Sequence, residues 1–137
     1  MPTDFFAAME VSASGLSAER TRMNIAASNL ANAQTTQTAT GGPYQRKDVV
    51  MRSFSIDPAA QINGVEVAEI TQDAAPPRLE YDPGHPQADA KGYVAYPNIN
   101  PVEEMVDMIT ASRAYEAGIT SMQTAVSMAE RALGIGR

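Results

Sequence analysis

Several residue types are missing or scarce in this chain of 137 residues. Cysteine and tryptophan are absent, histidine occurs once, at His85, and only 6% of the residues are aromatic. Without cysteine the chain cannot form a disulfide, a thiolate nucleophile, an iron–sulfur site or a Cys-ligated zinc site. One histidine excludes a multi-histidine metal site, and the shortage of aromatic side chains argues against an aromatic binding cleft.

Basic residues are also fewer than acidic ones. The chain has 10 Lys and Arg against 16 Asp and Glu, a net charge of −6. A nucleic-acid-binding surface needs an excess of basic residues, so no nucleic-acid partner is expected. No run of about 18 apolar residues occurs, and no membrane span is expected. The first residues, MPTDFF, lack the positive charge and apolar stretch of a cleaved secretory signal.

Both terminal parts of the chain carry residues at alternating spacings of three and four, a pattern typical of a coiled-coil seam. The N-terminal seam is Phe6, Met9, Ala13, Leu16, Arg20, Met23, Ala27 and Leu30. The C-terminal seam is Met105, Met108, Ser112, Tyr115, Ile119, Met122, Val126, Ala129 and Leu133. Asn100 and Pro101 suit a helix start, and Gly134 suits a helix end. The sequence therefore predicts helices over about 3–32 and 100–133.

The middle of the chain has a different composition, because all but one of the nine prolines lie between Pro43 and Pro101. Alternating apolar and polar residues predict short strands within 44–56, 64–70 and 78–81, with a turn at 82–84. We expect an α+β fold with two parts. Residues 1–32 and 100–137 are paired terminal helices that form an inner coiled-coil domain, and residues 33–99 form a small β-rich outer domain with loops.

Two arrangements of the helices fit the pattern. The faces beside the seams carry many Ser, Thr, Asn and Gln residues and few charges. In one arrangement the two seams bury each other in a plain antiparallel hairpin. In the other the helices pack against helices of other chains, because small polar side chains can hydrogen-bond across such contacts.

Residues that could carry out catalysis are few. His85 lies in a turn-rich Pro-Gly-His-Pro segment near Asp82 and Asp89, and we interpret it as an exposed loop histidine. The acidic residues between Asp57 and Asp107 are interpreted as a solvated surface. Arg46, Lys47 and Arg52 are interpreted as charges on an exposed strand face rather than as an anion site. No catalytic, cofactor-binding or metal-binding residue is assigned.

Four segments carry a family resemblance. These are SGLSAERTRMNIAASNLANA at 14–33, GPYQRKDVV at 42–50, GYVAYPNINPVEEMVDMI at 92–109 and ASRAYEA at 111–117. They resemble the bacterial flagellar rod and hook family, and the segments after residue 42 are similar to its proximal-rod members. Gly118 departs from the pattern, because the family usually has Asn there.

The resemblance implies a structural subunit of the proximal rod of the flagellar basal body. Such a subunit polymerises through its terminal helices into the torque-transmitting drive shaft. It lies in the periplasmic rod and is exported by the flagellar type III apparatus without a cleaved signal peptide. The implied partners are copies of itself and other rod proteins, with the export-gate adaptor of the basal body as a further candidate. No cofactor is implied.

A set of residues on both helices is expected to form the packing interface, either between the two helices or with a neighbouring subunit. The set is Leu16, Met23, Ala27, Asn29, Leu30, Asn32, Met108, Arg113, Tyr115, Ile119, Met122 and Val126. Asn29 and Asn32 are expected to bond partners near the helix end, and Arg113 to pair with an acid across a subunit boundary. The alternatives are a sister rod or hook subunit, a soluble helical adaptor and a peptidoglycan-acting enzyme.

Overall fold

The computed structural model describes residues 2–135, so Met1 and residues 136–137 of the predicted helical domain lie outside the described residues. The elements in chain order are α1 Pro2–Ala31, β1 Lys47–Asp57, β2 Ile62–Gln72, β3 Arg78–Tyr81, β4 Tyr93–Tyr96 and α2 Pro101–Ile135. This confirms the α+β fold with two long terminal helices around a β-rich middle. The division into an inner and an outer domain stays a prediction.

The helix ends follow from local hydrogen bonding. The backbone N–H of Val102 donates to Asn100 Oδ1 at 3.1 Å, so Asn100 caps α2 and Pro101 is its first residue. At the end of α1, Asn32 Nδ2 donates to the carbonyl oxygen of Ser28 at 2.9 Å, where the chain turns out of the helix. The predicted stop at Gly134 is wrong, because α2 continues through that residue to Ile135.

Helix α1 lies between two other elements. On one side it packs antiparallel against α2, and on the other side it contacts the β1–β2 hairpin, where the Val65 N–H donates to Ser14 Oγ at 3.1 Å. Among the described elements, α2 contacts α1 but none of the strands. Small side chains fill the core, since Ala18, Ala26 and Ala111 are all buried. Among the helices and strands, α1 therefore has neighbours on two sides and α2 on only one.

The face of α2 that meets α1 differs from the predicted seam by one residue at every second position. The less exposed positions of α2 include Glu104, Met108, Ala111, Tyr115, Gly118, Met122, Ala125 and Ala129. Of the predicted seam, Met108, Ser112, Tyr115, Met122 and Ala129 are half-buried. Met105, Ile119, Val126 and Leu133 are exposed instead. Small residues form half of the real seam because they let the two helices approach closely.

The predicted seam of α1 is also displaced. Phe6, Ala13, Arg20 and Ala27 are exposed, whereas Met9, Leu16, Met23 and Leu30 are half-buried. The fully buried residues of this helix are Ala18, Ala26 and Asn29. The displacement has a simple cause, because α1 must present one face to α2 and another to the hairpin.

Two separate two-stranded antiparallel sheets make up the β-rich middle. β1 pairs with β2 in a long hairpin, with register irregularities after Val50 and after Ser55. β3 pairs with β4, so that Arg78 lies opposite Tyr96 and Tyr81 opposite Tyr93. β3 was predicted with its observed bounds. β4 was missed because its four residues follow a glycine and precede a proline, which are signals of a loop.

Gly118 is a site of close approach between the helices. A Cβ atom at this position would lie 2.9 Å from Leu16 Cδ2 and 3.2 Å from Leu16 Cγ. The helix runs unbroken through Gly118, so the glycine makes room for the Leu16 side chain of α1 and does not mark the end of a helix.

The two helical glycines Gly15 and Gly118 provide a matched pair of substitutions. Replacing Gly15 by Ala should raise the free energy of unfolding by up to about 1 kcal/mol, because alanine favours a helix and nothing lies within 4 Å of the new Cβ. Replacing Gly118 by Ala should stabilise less or destabilise, because Leu16 must shift. Urea unfolding of both variants checks this, and an equal gain from the two would contradict the contact.

Candidate assembly surface

A cluster of buried and half-buried polar groups joins α1, the segment that leads into β1, and α2. We call Asn29, Tyr44, Arg46, the Lys47 backbone and Glu104 the polar node. Asn29 Nδ2 donates to Glu104 Oε2 at 3.0 Å and to the Lys47 carbonyl oxygen at 2.8 Å. Asn29 Oδ1 accepts from the Lys47 N–H at 2.9 Å and from the Tyr44 hydroxyl at 3.1 Å. One asparagine side chain thus binds groups from both other elements.

The charges of the polar node are balanced inside the protein. Glu104 is only 2% exposed, and its Oε1 accepts from Arg46 Nε at 2.5 Å. Arg46 also lies 3.7 Å from Asp107 and 3.6 Å from Asp48. Partial burial lowers the pKa of Arg46, but the hydrogen bond and charge of Glu104, with Asp48 and Asp107, outweigh burial and raise that pKa above its ordinary value. Arg46 therefore stays cationic.

This node corrects two interpretations from the sequence. Glu104 was grouped with the solvated acidic surface, but it is buried and paired. Arg46 was placed on an exposed strand face, but its guanidinium reaches α2. A hydrophobic periodicity cannot reveal such a pair, because both residues look like surface residues. The one usable signal was that Glu104 stands four residues before Met108, at a seam spacing.

A second feature is an apolar patch on the side of α2 that faces away from α1. We call Val102, Met105, Val106 and Ile109 the outer patch. Their exposed fractions are 66%, 47%, 56% and 53%, and the spacings of three and four place them together on the first turns of the helix. Adjacent exposed apolar side chains on one helix face are typical of an interaction surface.

The twelve residues predicted to form the packing interface fall into three groups. Asn29 is buried in the polar node. Seven are half-buried within the chain, namely Leu16, Met23, Leu30, Asn32, Met108, Tyr115 and Met122. Four are exposed, namely Ala27, Arg113, Ile119 and Val126. Eight of the twelve, the one buried and the seven half-buried residues, are thus at least partly covered within one chain. Contact of these residues with a neighbouring subunit stays a prediction, as does a partner for Arg113 across a boundary.

The residues of the loop between β3 and β4 bond each other. His85 Nδ1 accepts from the Gln87 N–H at 3.1 Å, and its ring lies 6.4 Å from that of Tyr96. It is half-buried, so the prediction of an exposed histidine is wrong. Asp82 Oδ1 accepts from the Gly84 N–H and Asp89 Oδ1 from the Lys91 and Tyr93 N–H groups. These hydrogen bonds stabilise the conformation of the loop.

Within residues 2–135, no group of three or more acidic or histidine side chains is placed to hold a metal ion. None of the helices in that part of the chain combines the length and hydrophobicity needed to cross a membrane.

Both terminal regions match known families. Residues 9–37 match the family model described as flagella basal body rod protein, and residues 90–135 match the one described as flagellar basal body rod FlgEFG protein C-terminal. These two matches cover most of α1 and all of α2, the helices that contribute Asn29 and Glu104 to the polar node and that carry the outer patch. They define the class as that of flagellar basal-body rod proteins.

Relatives from distant bacteria match almost the whole chain. The flagellar basal-body rod protein FlgC of Escherichia coli O6:H1 is 43% identical over 128 residues, which cover 93% of this chain and 95% of the relative. FlgC of Bacillus subtilis is 42% identical over 147 residues, covering 96% and 98%. FlgC of Borreliella burgdorferi is 41% identical over 146 residues, covering 95% and 96%. The chain belongs to the FlgC family of flagellar basal-body rod proteins.

The polar node predicts unequal effects for two asparagines of α1. Asn29→Ala should lower the free energy of unfolding by about 2–3 kcal/mol, because it removes the hydrogen bonds to the Lys47 backbone and to Oε2 of the buried Glu104. Asn24→Ala, on the exposed side of the same helix, should change it by less than about 0.5 kcal/mol. Urea denaturation measures both, and similar values for the two variants would contradict the role assigned to Asn29.

Proposed function

We propose that this structural subunit of the flagellar basal-body rod polymerises through its terminal helices into the torque-transmitting shaft. The main observation in support of the proposal is the outer patch. One face of α2 packs on α1, and a second apolar face on the same helix has no partner within the described chain. A helix with two apolar faces is suited to an assembly in which a neighbouring subunit covers the second one.

The geometry of the patch suits a shaft. An isologous contact closes a dimer, whereas a contact between two different surfaces that does not close into a ring produces a helical assembly. Beyond the outer patch, the same side of α2 continues with Arg113 and then with the exposed small residues Ala117, Thr120 and Thr124. Such a surface allows close lateral contacts along the full length of the helix. Many modest contacts of this kind can transmit torque without an active site.

The proposal extends to location and partners. We place the chain in the proximal, periplasmic part of the rod, after export by the flagellar type III apparatus without a cleaved signal peptide. Its partners would be copies of itself and other rod proteins, with the export-gate adaptor as a further candidate. No catalytic step, cofactor or metal enters the proposal. The match to rod proteins over nearly the full length favours this role over a soluble adaptor or a peptidoglycan-acting enzyme.

A charged side chain in the outer patch tests the proposal. Val106→Asp should leave the fold intact, because Val106 is already 56% exposed, but it should block assembly by burying an unpaired charge in the subunit contact. We expect loss of swimming and loss of the chain from purified basal bodies. Leu79→Asp is the matched control, since Leu79 is also an exposed apolar residue, 63% exposed on β3.

Two further measurements make the outcome decisive. Thermal unfolding of both purified variants checks that neither has lost its fold. Normal swimming of cells that carry Val106→Asp, with the variant present in their basal bodies, would show that the outer patch is not an assembly surface.

A further inference from the structure

A short segment ties both helices together at one end of the pair. We call residues Tyr44–Lys47 the strap. It crosses α1 at Asn29, where the Tyr44 hydroxyl and the Lys47 backbone bond the asparagine side chain. It reaches α2 through the Arg46 guanidinium, which bonds Glu104. Besides the short chain segment 97–100 that leads from β4 into α2, the strap links the middle of the chain to α2, whereas no strand contacts that helix.

The strap is held on α1 by groups that do not involve α2. Asn29 binds both the N–H and the carbonyl oxygen of Lys47, as a neighbouring strand would. The Arg46 carbonyl oxygen accepts from the Asp73 N–H at 2.8 Å, just beyond the end of β2. These bonds place Asn29 Nδ2 and Arg46 Nε, the two donors to the Glu104 carboxylate, on the same side. Helix α1 and the strap thus form a receptor for one carboxylate.

The strap is accessible from solvent. A groove of about 590 Å³ runs beside it and is lined by residues 38–47 together with Gln72, Asp73, Ala75, Pro77, Pro97 and Asn98. The strap therefore forms part of the wall of an open groove.

We propose that the strap is a latch that sets the position of the first turns of α2. Glu104 is 2% exposed, and a buried carboxylate without a counter-charge is strongly unfavourable. These turns can therefore rest on α1 only while Arg46 is in place. The outer patch lies on the same turns, so the latch also controls how that patch is presented. In this last step the inference rests on the proposed function.

Hydrogen exchange on the full-length chain tests the latch. In Arg46→Gln the backbone amides of residues 105–112 should exchange about tenfold faster than in the unmodified chain, because these turns open locally. Amides of β1 and β2 should keep their protection. The control is Arg52→Gln, which removes an ion pair to Glu66 of similar length, 2.7 Å, but with both side chains exposed. It should leave exchange in residues 105–112 unchanged.

A second variant keeps the test decisive if Arg46→Gln folds poorly. Combining Arg46→Gln with Glu104→Gln removes the buried charge, so protection of residues 105–112 should return to within about threefold of the unmodified chain. The latch is refuted if Arg46→Gln behaves like Arg52→Gln, if exchange accelerates equally in all elements, or if the double variant stays unprotected. These measurements use the free chain, so they can fail or succeed independently of the swimming assay.

Discussion

The buried carboxylate of Glu104 is the constraint on which the rest of the structure depends. A charge with 2% exposure persists only if the fold supplies a counter-charge and donors, and here they come from two different elements, Arg46 and Asn29. This requirement determines where the chain runs after α1 and how closely α2 packs against α1. It also accounts for Asn29, a buried amide in a helix whose other buried residues are alanines.

The two helices differ in how much of their surface is covered by other elements. Helix α1 is enclosed by α2 on one side and by the β1–β2 hairpin on the other. Helix α2 has only one covered face, and its other face begins with four adjacent exposed apolar side chains. The chain therefore has one helix that is packed on two sides and one that is packed on a single side. The exposed apolar side chains of the second helix are suited to contact another subunit. This is consistent with the FlgC family, whose relatives match both helices and the middle segment.

Much of the fold could be predicted from the sequence, but the details of its packing could not. The spacing of apolar residues and the signals at Asn100 and Pro101 predicted both helices. Periodicity could not decide which side of α2 meets α1, because this helix carries apolar residues on two sides. The prediction therefore favoured large residues such as Met105 and Ile119, while the real seam uses Ala111 and Gly118.

Hydrogen bonds of Asn29 were predicted, but the Arg46–Glu104 pair of the polar node was not, for a different reason. Glu104 and Arg46 are 58 positions apart, and residues of their types usually lie at the surface. The pairing depends on how the loop after α1 folds back, which no local pattern encodes. The family resemblance indicated the functional class. The structure added which side chains are buried within the chain and which are exposed.

The most direct test of the account is a cryo-electron microscopy map of the basal body purified from the source bacterium, at a resolution that shows side chains. The account predicts that this chain is found in the rod, with its antiparallel helix pair retained and Val102, Val106 and Ile109 covered by a neighbouring subunit. A rod in which the same face of α2 is open to solvent would contradict the central claim.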